Sequence, residues 1–107
     1  MTKAHSQLTE IVRLKKQIAE SEFRVAQQNL SNHNAEIEAI ETRIGKASNR
    51  GMTANGVELD SALKYVSKQT SKIQELIGQR GILERNLELA RTKLQSAIVS
   101  ESVLQND

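Results

Sequence analysis

The sequence holds no cysteine, no proline and no tryptophan, and only one phenylalanine and one tyrosine in 107 residues. Without cysteine there are no disulfides and no thiolate metal sites, which fits a reducing compartment. Without the large rings that fill most cores, a globule has little to pack around. The lack of proline removes the one residue that breaks a helix outright, so helix ends must come from glycine and turn chemistry. A dominant sign of charge is missing too: 15 Lys and Arg stand against 13 Asp and Glu, a formal charge of +2. That balance, with neither aromatic residue inside a basic cluster, lacks the basic face and stacking platforms of a nucleic-acid binder. No apolar run approaches the roughly 20 residues that span a bilayer. The opening MTKAHSQLTE has no apolar signal core. These absences predict a soluble, cytoplasmic protein with no membrane insertion and no nucleic-acid partner.

What is present is a helical repeat. Stepping alternately three and four residues from Leu59 meets Ala62, Val66, Gln69, Ile73, Leu76, Arg80, Leu83, Leu87, Ala90, Leu94, Ala97, Glu101 and Leu104. All but Gln69, Arg80 and Glu101 are apolar. A 3-4 alternation sustained this long is a coiled-coil seam, because a period of 3.5 keeps one stripe turned toward a partner helix. In the first half, Phe23, Ala26, Leu30, His33, Ile37, Ile40 and Ile44 obey the same rule. Further back, Leu8, Ile11, Leu14, Ile18 and Val25 lie on a displaced stripe. Either the supercoil changes there, or this end touches something besides the second helix.

Between the halves lies GKASNRGMTANGVELD, residues 45–60, with three of the five glycines. Asn55 followed by Glu58 has the spacing of a capping box and predicts a helix start near Gly56. Gly51 is a candidate for the left-handed residue that ends the first helix. The expectation is an all-α, antiparallel two-helix coiled-coil hairpin: helix one over about 6–47, a tip loop over about 48–55 and helix two over about 56–104. With the turn centred near residue 51, facing residues have numbers summing to about 102–104. That register sets Phe23 opposite Gly81, with Gly78 a turn away, so the glycines of GQRGIL make room for the one Phe. It also brings Arg80 near Glu22 and His33 to Gln69.

Catalytic constellations are missing from the sequence. His5 and His33 stand far apart, and there is no His-Glu-x-x-His, no Gly-rich phosphate loop and no Asp-rich calcium loop. A pair of helices also offers no enclosed pocket in which to tune a pKa. A non-enzymatic protein with no cofactor, no metal and no catalytic residues is expected.

The stretch GMTANGVELDSALKYVSKQTSKI, with Gly51, Met52 and Thr53 at the tip, Leu59 soon after, Tyr65 on the second helix and a long seam following, resembles the stalk proteins of bacterial type III export. These are FliJ of flagella and the YscO type of injectisomes. The likeness is a pattern of helix, glycine-containing tip and helix over nearly the whole chain. At its C-terminus the chain is shorter than flagellar members. The resemblance implies a non-catalytic antiparallel coiled coil whose free ends engage the hexameric export ATPase, with further contacts to the export gate and escort chaperones. Carried over by position, the ATPase-facing residues are Ile11, Arg13, Leu14, Lys15, Lys16 and Gln17 on helix one, with Arg91, Lys93 and Leu94 opposite. The apolar stripe broadens and positive charge gathers there, as a second partner would require.

The lack of Trp separates the chain from small secreted hairpins with a Trp-x-Gly turn. The alternative is a generic coiled-coil adaptor that binds a partner helix or self-associates. Leu63, Ile77, Ile82, Leu89, Ile98 and Val103 flank the seam rather than fill it, so a homo-oligomer such as a four-helix bundle would cover them.

Overall fold

The 3.5-residue repeat and the absence of proline produce two long helices, which are the only elements among the described residues. A computed structural model describes residues 3–52 and 55–106, with α1 spanning Lys3–Gly51 and α2 spanning Gly56–Asn106. The fold is an all-α, antiparallel two-helix coiled-coil hairpin. Mid-helix hydroxyls do not disturb it, because Thr9, Thr42, Ser71, Thr92 and Ser100 each donate to the carbonyl four residues back.

Turn chemistry sets the ends of the helices. The Asn55 side-chain oxygen accepts from the Glu58 amide at 3.1 Å, while the Asn55 carbonyl takes the Leu59 amide at 2.8 Å. This satisfies first-turn donors that would otherwise lack partners and starts α2 at Gly56, as the spacing predicts. Glu58 in the first turn of α2 and Arg50 in the last turn of α1 also carry the charges that the helix dipoles favour. The expectation for Gly51 does not hold. Gly51 is the last residue of α1, and no glycine among the described residues has a positive φ. The helix runs on until the Met52 amide bonds back to the Ser48 carbonyl at 3.2 Å. Thr53, the third residue of the Gly-Met-Thr tip, lies outside the described residues.

This later turn shifts the register. Gly51 meets Ala62 and Leu59 of α2, Lys16 pairs with Glu101 and Glu22 with Lys93. The numbers of these pairs sum to 110–117 rather than 102–104. Accordingly Phe23 lies beneath the Arg91 guanidinium, 5.9 Å from the ring centre, and Glu22 binds Lys93 rather than approaching Arg80. His33 reaches the Leu76 carbonyl, not Gln69. Gly78 and Gly81 face open space, with nothing within 4 Å of an added Cβ. They make no room for Phe23.

The chain divides into two compact units. Ser31–Ile82 contains the tip and the buried cluster: Ile37, Ile40 and Leu76 are buried, with Ile44 and Ile73 packed against them. His33 adds a polar layer by hydrogen bonding to the Leu76 carbonyl. In the second unit, Met1–Leu30 with Leu83–Asp107, Ala19 is the only buried apolar side chain among the described residues. Its seam follows the same 3-4 rule toward the N-terminus through Val12 and Lys16, both half-buried. The seam therefore keeps its 3-4 spacing there. The displaced stripe stays in solvent, with Leu8, Ile11, Leu14, Ile18 and Val25 about half exposed.

Two outcomes follow from this packing. Gly78→Ala and Gly81→Ala each raise unfolding stability by about 1 kcal/mol, since an added methyl meets nothing and improves helix propensity; a loss in urea unfolding would show that the glycines serve a bend or close contact. Ile40→Ala lowers stability by about 2–4 kcal/mol, whereas Leu63→Ala on the exposed surface stays within about 0.5 kcal/mol.

Candidate functional site

In the unit formed by Met1–Leu30 and Leu83–Asp107, the residues just before and just after each seam position lie on opposite sides of the helix pair. On one side, a shallow groove is lined by Glu22, Val25 and Asn29 of α1 with Asn86, Leu89 and Lys93 of α2. The adjoining groove continues it past Lys15, Ile18, Ser96 and Ser100. The floor is the seam itself, made of Ala19, Ala26, Ala90 and Ala97. Small alanines let the two helices approach and keep the groove shallow. Three aliphatic side chains stand on its walls among the polar ones: Ile18 and Val25 are each 55% exposed and Leu89 is 64% exposed.

The opposite side differs in chemistry. Glu10, Arg13, Gln17, Glu20, Arg24 and Gln27 follow the seam on α1, and Glu84, Glu88, Arg91 and Gln95 on α2. Only Ile98 interrupts these polar rows. Short-range ion pairs satisfy much of the charge, with Arg13 to Glu10 at 3.9 Å, Lys16 to Glu20 at 4.0 Å and Arg91 to Glu88 at 3.1 Å. Exposed pairs of this kind contribute little stability. Their consequence is a well-hydrated surface that offers no apolar contact.

The nine residues carried over from the resemblance do not form one cluster. Ile11, Arg13, Leu14, Lys15 and Gln17 are exposed, but they point in different directions around α1. Lys16 is in the seam, bonded to Glu101 at 3.2 Å, with Glu101 also accepting from Gln105. Leu94 is a half-buried seam residue. Arg91 covers Phe23, and Lys93 holds both carboxylate oxygens of Glu22 at 2.9 and 3.1 Å. The observed register sets Arg91, Lys93 and Leu94 beside Glu22 and Phe23, about eight residues or ~13 Å along the helix from the middle of the Ile11–Gln17 segment. Of the nine, Lys15 and Lys93 line the apolar grooves.

The grooves also contain residues that the sequence reading did not single out as a site, chiefly Val25 and Leu89 together. The signal was present as a matching offset: both precede a seam position by one, Ala26 and Ala90. Only the register shows that they share a side. Near the tip, a separate concave surface is rimmed by Arg43, Lys46, Arg50 and Tyr65. Among the described residues, no group of three or more His, Asp or Glu is placed to hold a metal, and no helix is long and apolar enough to cross a membrane.

Comparison of the chain with protein-family models, with curated proteins and with solved structures returned no match.

Lys16 gives the clearest separation of a seam role from a docking role. Lys16→Met alone should lower stability by about 1 kcal/mol or more, because Glu101 keeps its charge in the seam without its cation. Adding Glu101→Leu should restore stability to the original level or above it. Urea unfolding of the three proteins measures this directly; a single variant as stable as the parent would show that the pair is not coupled.

Proposed function

We propose that the chain is a non-catalytic protein-docking rod, and that it docks through the apolar side of the unit formed by Met1–Leu30 and Leu83–Asp107. One observation carries this reading: of the aliphatic side chains left outside the seam in that unit, Leu8, Ile11, Ile18, Val25, Leu89 and Val103 precede a seam position and share one side, while Leu14 and Val99 lie on the outer faces and only Ile98 interrupts the polar side. An exposed apolar surface of this kind, rimmed by charge, is the usual mark of a protein contact. The reading needs no chemistry from the side chains, only a stiff support and a sticky face.

The helix, tip and helix pattern, with Gly51 and Met52 at the turn and Tyr65 on α2, supports a stalk of the type III export kind. In that form the docking partner is the hexameric export ATPase, in the cytoplasm. Of the nine residues that the resemblance implies, Lys16 and Leu94 lie in the seam, so the contact surface proposed here is a different one. It centres instead on Ile18, Val25 and Leu89, with Lys15 as its unpaired cation. An adaptor that binds a partner helix is the second reading, favoured by the groove's shallow, alanine-floored shape.

Titration of the purified chain against a purified type III export ATPase tests the first reading. Binding is expected, with Val25→Glu weakening it at least tenfold and Gln27→Glu, on the polar side, leaving it unchanged. Equal binding by both variants would remove the docking face. A failure of the parent chain to bind would remove the stalk reading and leave the adaptor.

A further inference from the structure

The apolar side has an internal symmetry. On α1, Ile11, Ile18 and Val25 are spaced by seven, and on α2 so are Leu89, Ser96 and Val103. Val25 and Leu89 line one groove, and Ile18 and Ser96 line the next. One further step of seven on each helix sets Ile11 beside Val103. The result is a ladder of three rungs, about 10 Å apart. It has an aliphatic pair at each end and a smaller pair, Ile18 with Ser96, in the middle.

We propose that a second copy of this chain docks on this side in the antiparallel sense, with a two-fold axis through the Ile18–Ser96 rung, so that the two units form a four-helix bundle. The proposal rests on the docking-face reading above and names its occupant. A two-fold contact must be self-complementary, and this face meets the condition twice. Turning the ladder about its middle rung lays Ile11 on Val25 of the copy, Leu89 on Val103, and Ile18 on its own equivalent. The same rotation treats the charges correctly. Lys15 lies three residues before Ile18 and Glu22 four after it, so each Lys15 meets the Glu22 of the other copy. Lys15 has no ion pair within its own chain among the described residues. Glu22 binds Lys93 and keeps lone pairs for a second cation.

The available area agrees with a real but concentration-dependent dimer. From Leu8 to Asn29 the face is about 30 Å long and two helices wide, roughly 600 Å² per copy. The total of roughly 1,200 Å² stands at the lower edge of stable specific interfaces. The polar side, with its satisfied ion pairs, offers no comparable surface.

The absence of native cysteine makes the test clean. In sedimentation equilibrium from micromolar to millimolar concentration, the chain should move from monomer to dimer. Ile18→Glu should weaken the dimer on the order of 100-fold, since it sets two carboxylates on the axis, while helical circular dichroism stays unchanged because Ile18 is outside the seam. Oxidised Ile18→Cys should cross-link into a covalent dimer, and Arg24→Cys on the polar side should not. Mixed Ile11→Cys and Val25→Cys chains should cross-link to each other. Cross-linking of Ile11→Cys to Val103→Cys instead would indicate a parallel pair and overturn the axis. So would a dimer in which Ile18→Cys fails to cross-link. A chain that stays monomeric yet binds an export ATPase in a Val25-dependent way would sink the second copy and leave the docking face intact. A monomer with no such binding would sink both.

Discussion

The contact between the 3-4 stripes of α1 and α2 is the interaction on which the rest of the structure depends. Each unit is only two helices thick, so a side chain leaves water chiefly by lying on that stripe, and residues one position away on either side remain at the surface. That is why Ile40 is buried while Leu63, Ile82 and Leu89 are more than half exposed. The same geometry explains the seam's composition. Alanine and medium aliphatic side chains fill a narrow contact that larger aromatic rings would wedge apart. The one Phe, half-buried in the seam, lies beneath Arg91.

A seam this narrow buries little, and its polar members hold the alignment at some expense of stability. Lys16 with Glu101 in one unit is satisfied where those two side chains lie at the same level, and His33 in the other bonds to the Leu76 carbonyl. Sliding either helix by a turn would leave a half-buried charge without its partner. Aliphatic contacts alone would tolerate such a slip more readily, since every heptad resembles its neighbour. The polar layers therefore select one register, and that register decides which exposed aliphatics share a side.

Much of this was legible in the sequence. The heptad stripe of α2 from Ala62 to Leu104 is the observed seam, as are Phe23 through Ile44 on α1, and the Asn55 cap lies where its spacing placed it. The register was not legible, because heptads specify a face and not a level along the axis. That level is fixed by where the turn closes. Gly51 remains helical, so α1 runs past its expected end, and Gly51 packs against Leu59 and Ala62 beyond the start of α2. A misplacement of about ten in the pair sum moved Phe23 away from Gly81 and separated Arg91, Lys93 and Leu94 from the Ile11–Gln17 segment. The displaced stripe of Ile11, Ile18 and Val25 was visible as a pattern, but its joining with Leu89 into one face required the register. For the open glycines at 78 and 81, nothing in the packing supplies a reason.

The docking face thus exists only in one alignment of the two helices. An engineered disulfide measures that alignment most directly, since Cβ atoms must approach within about 4.5 Å to be bridged and the chain has no other thiol. Ala26 and Ala90 floor the same groove, so Ala26→Cys with Ala90→Cys should oxidise to an intramolecular disulfide, running as a monomer on a denaturing gel, with helix content retained. Ala26→Cys with Gly78→Cys, the pair required if facing numbers sum to 104, should not. The reverse pattern would contradict the register and, with it, the face.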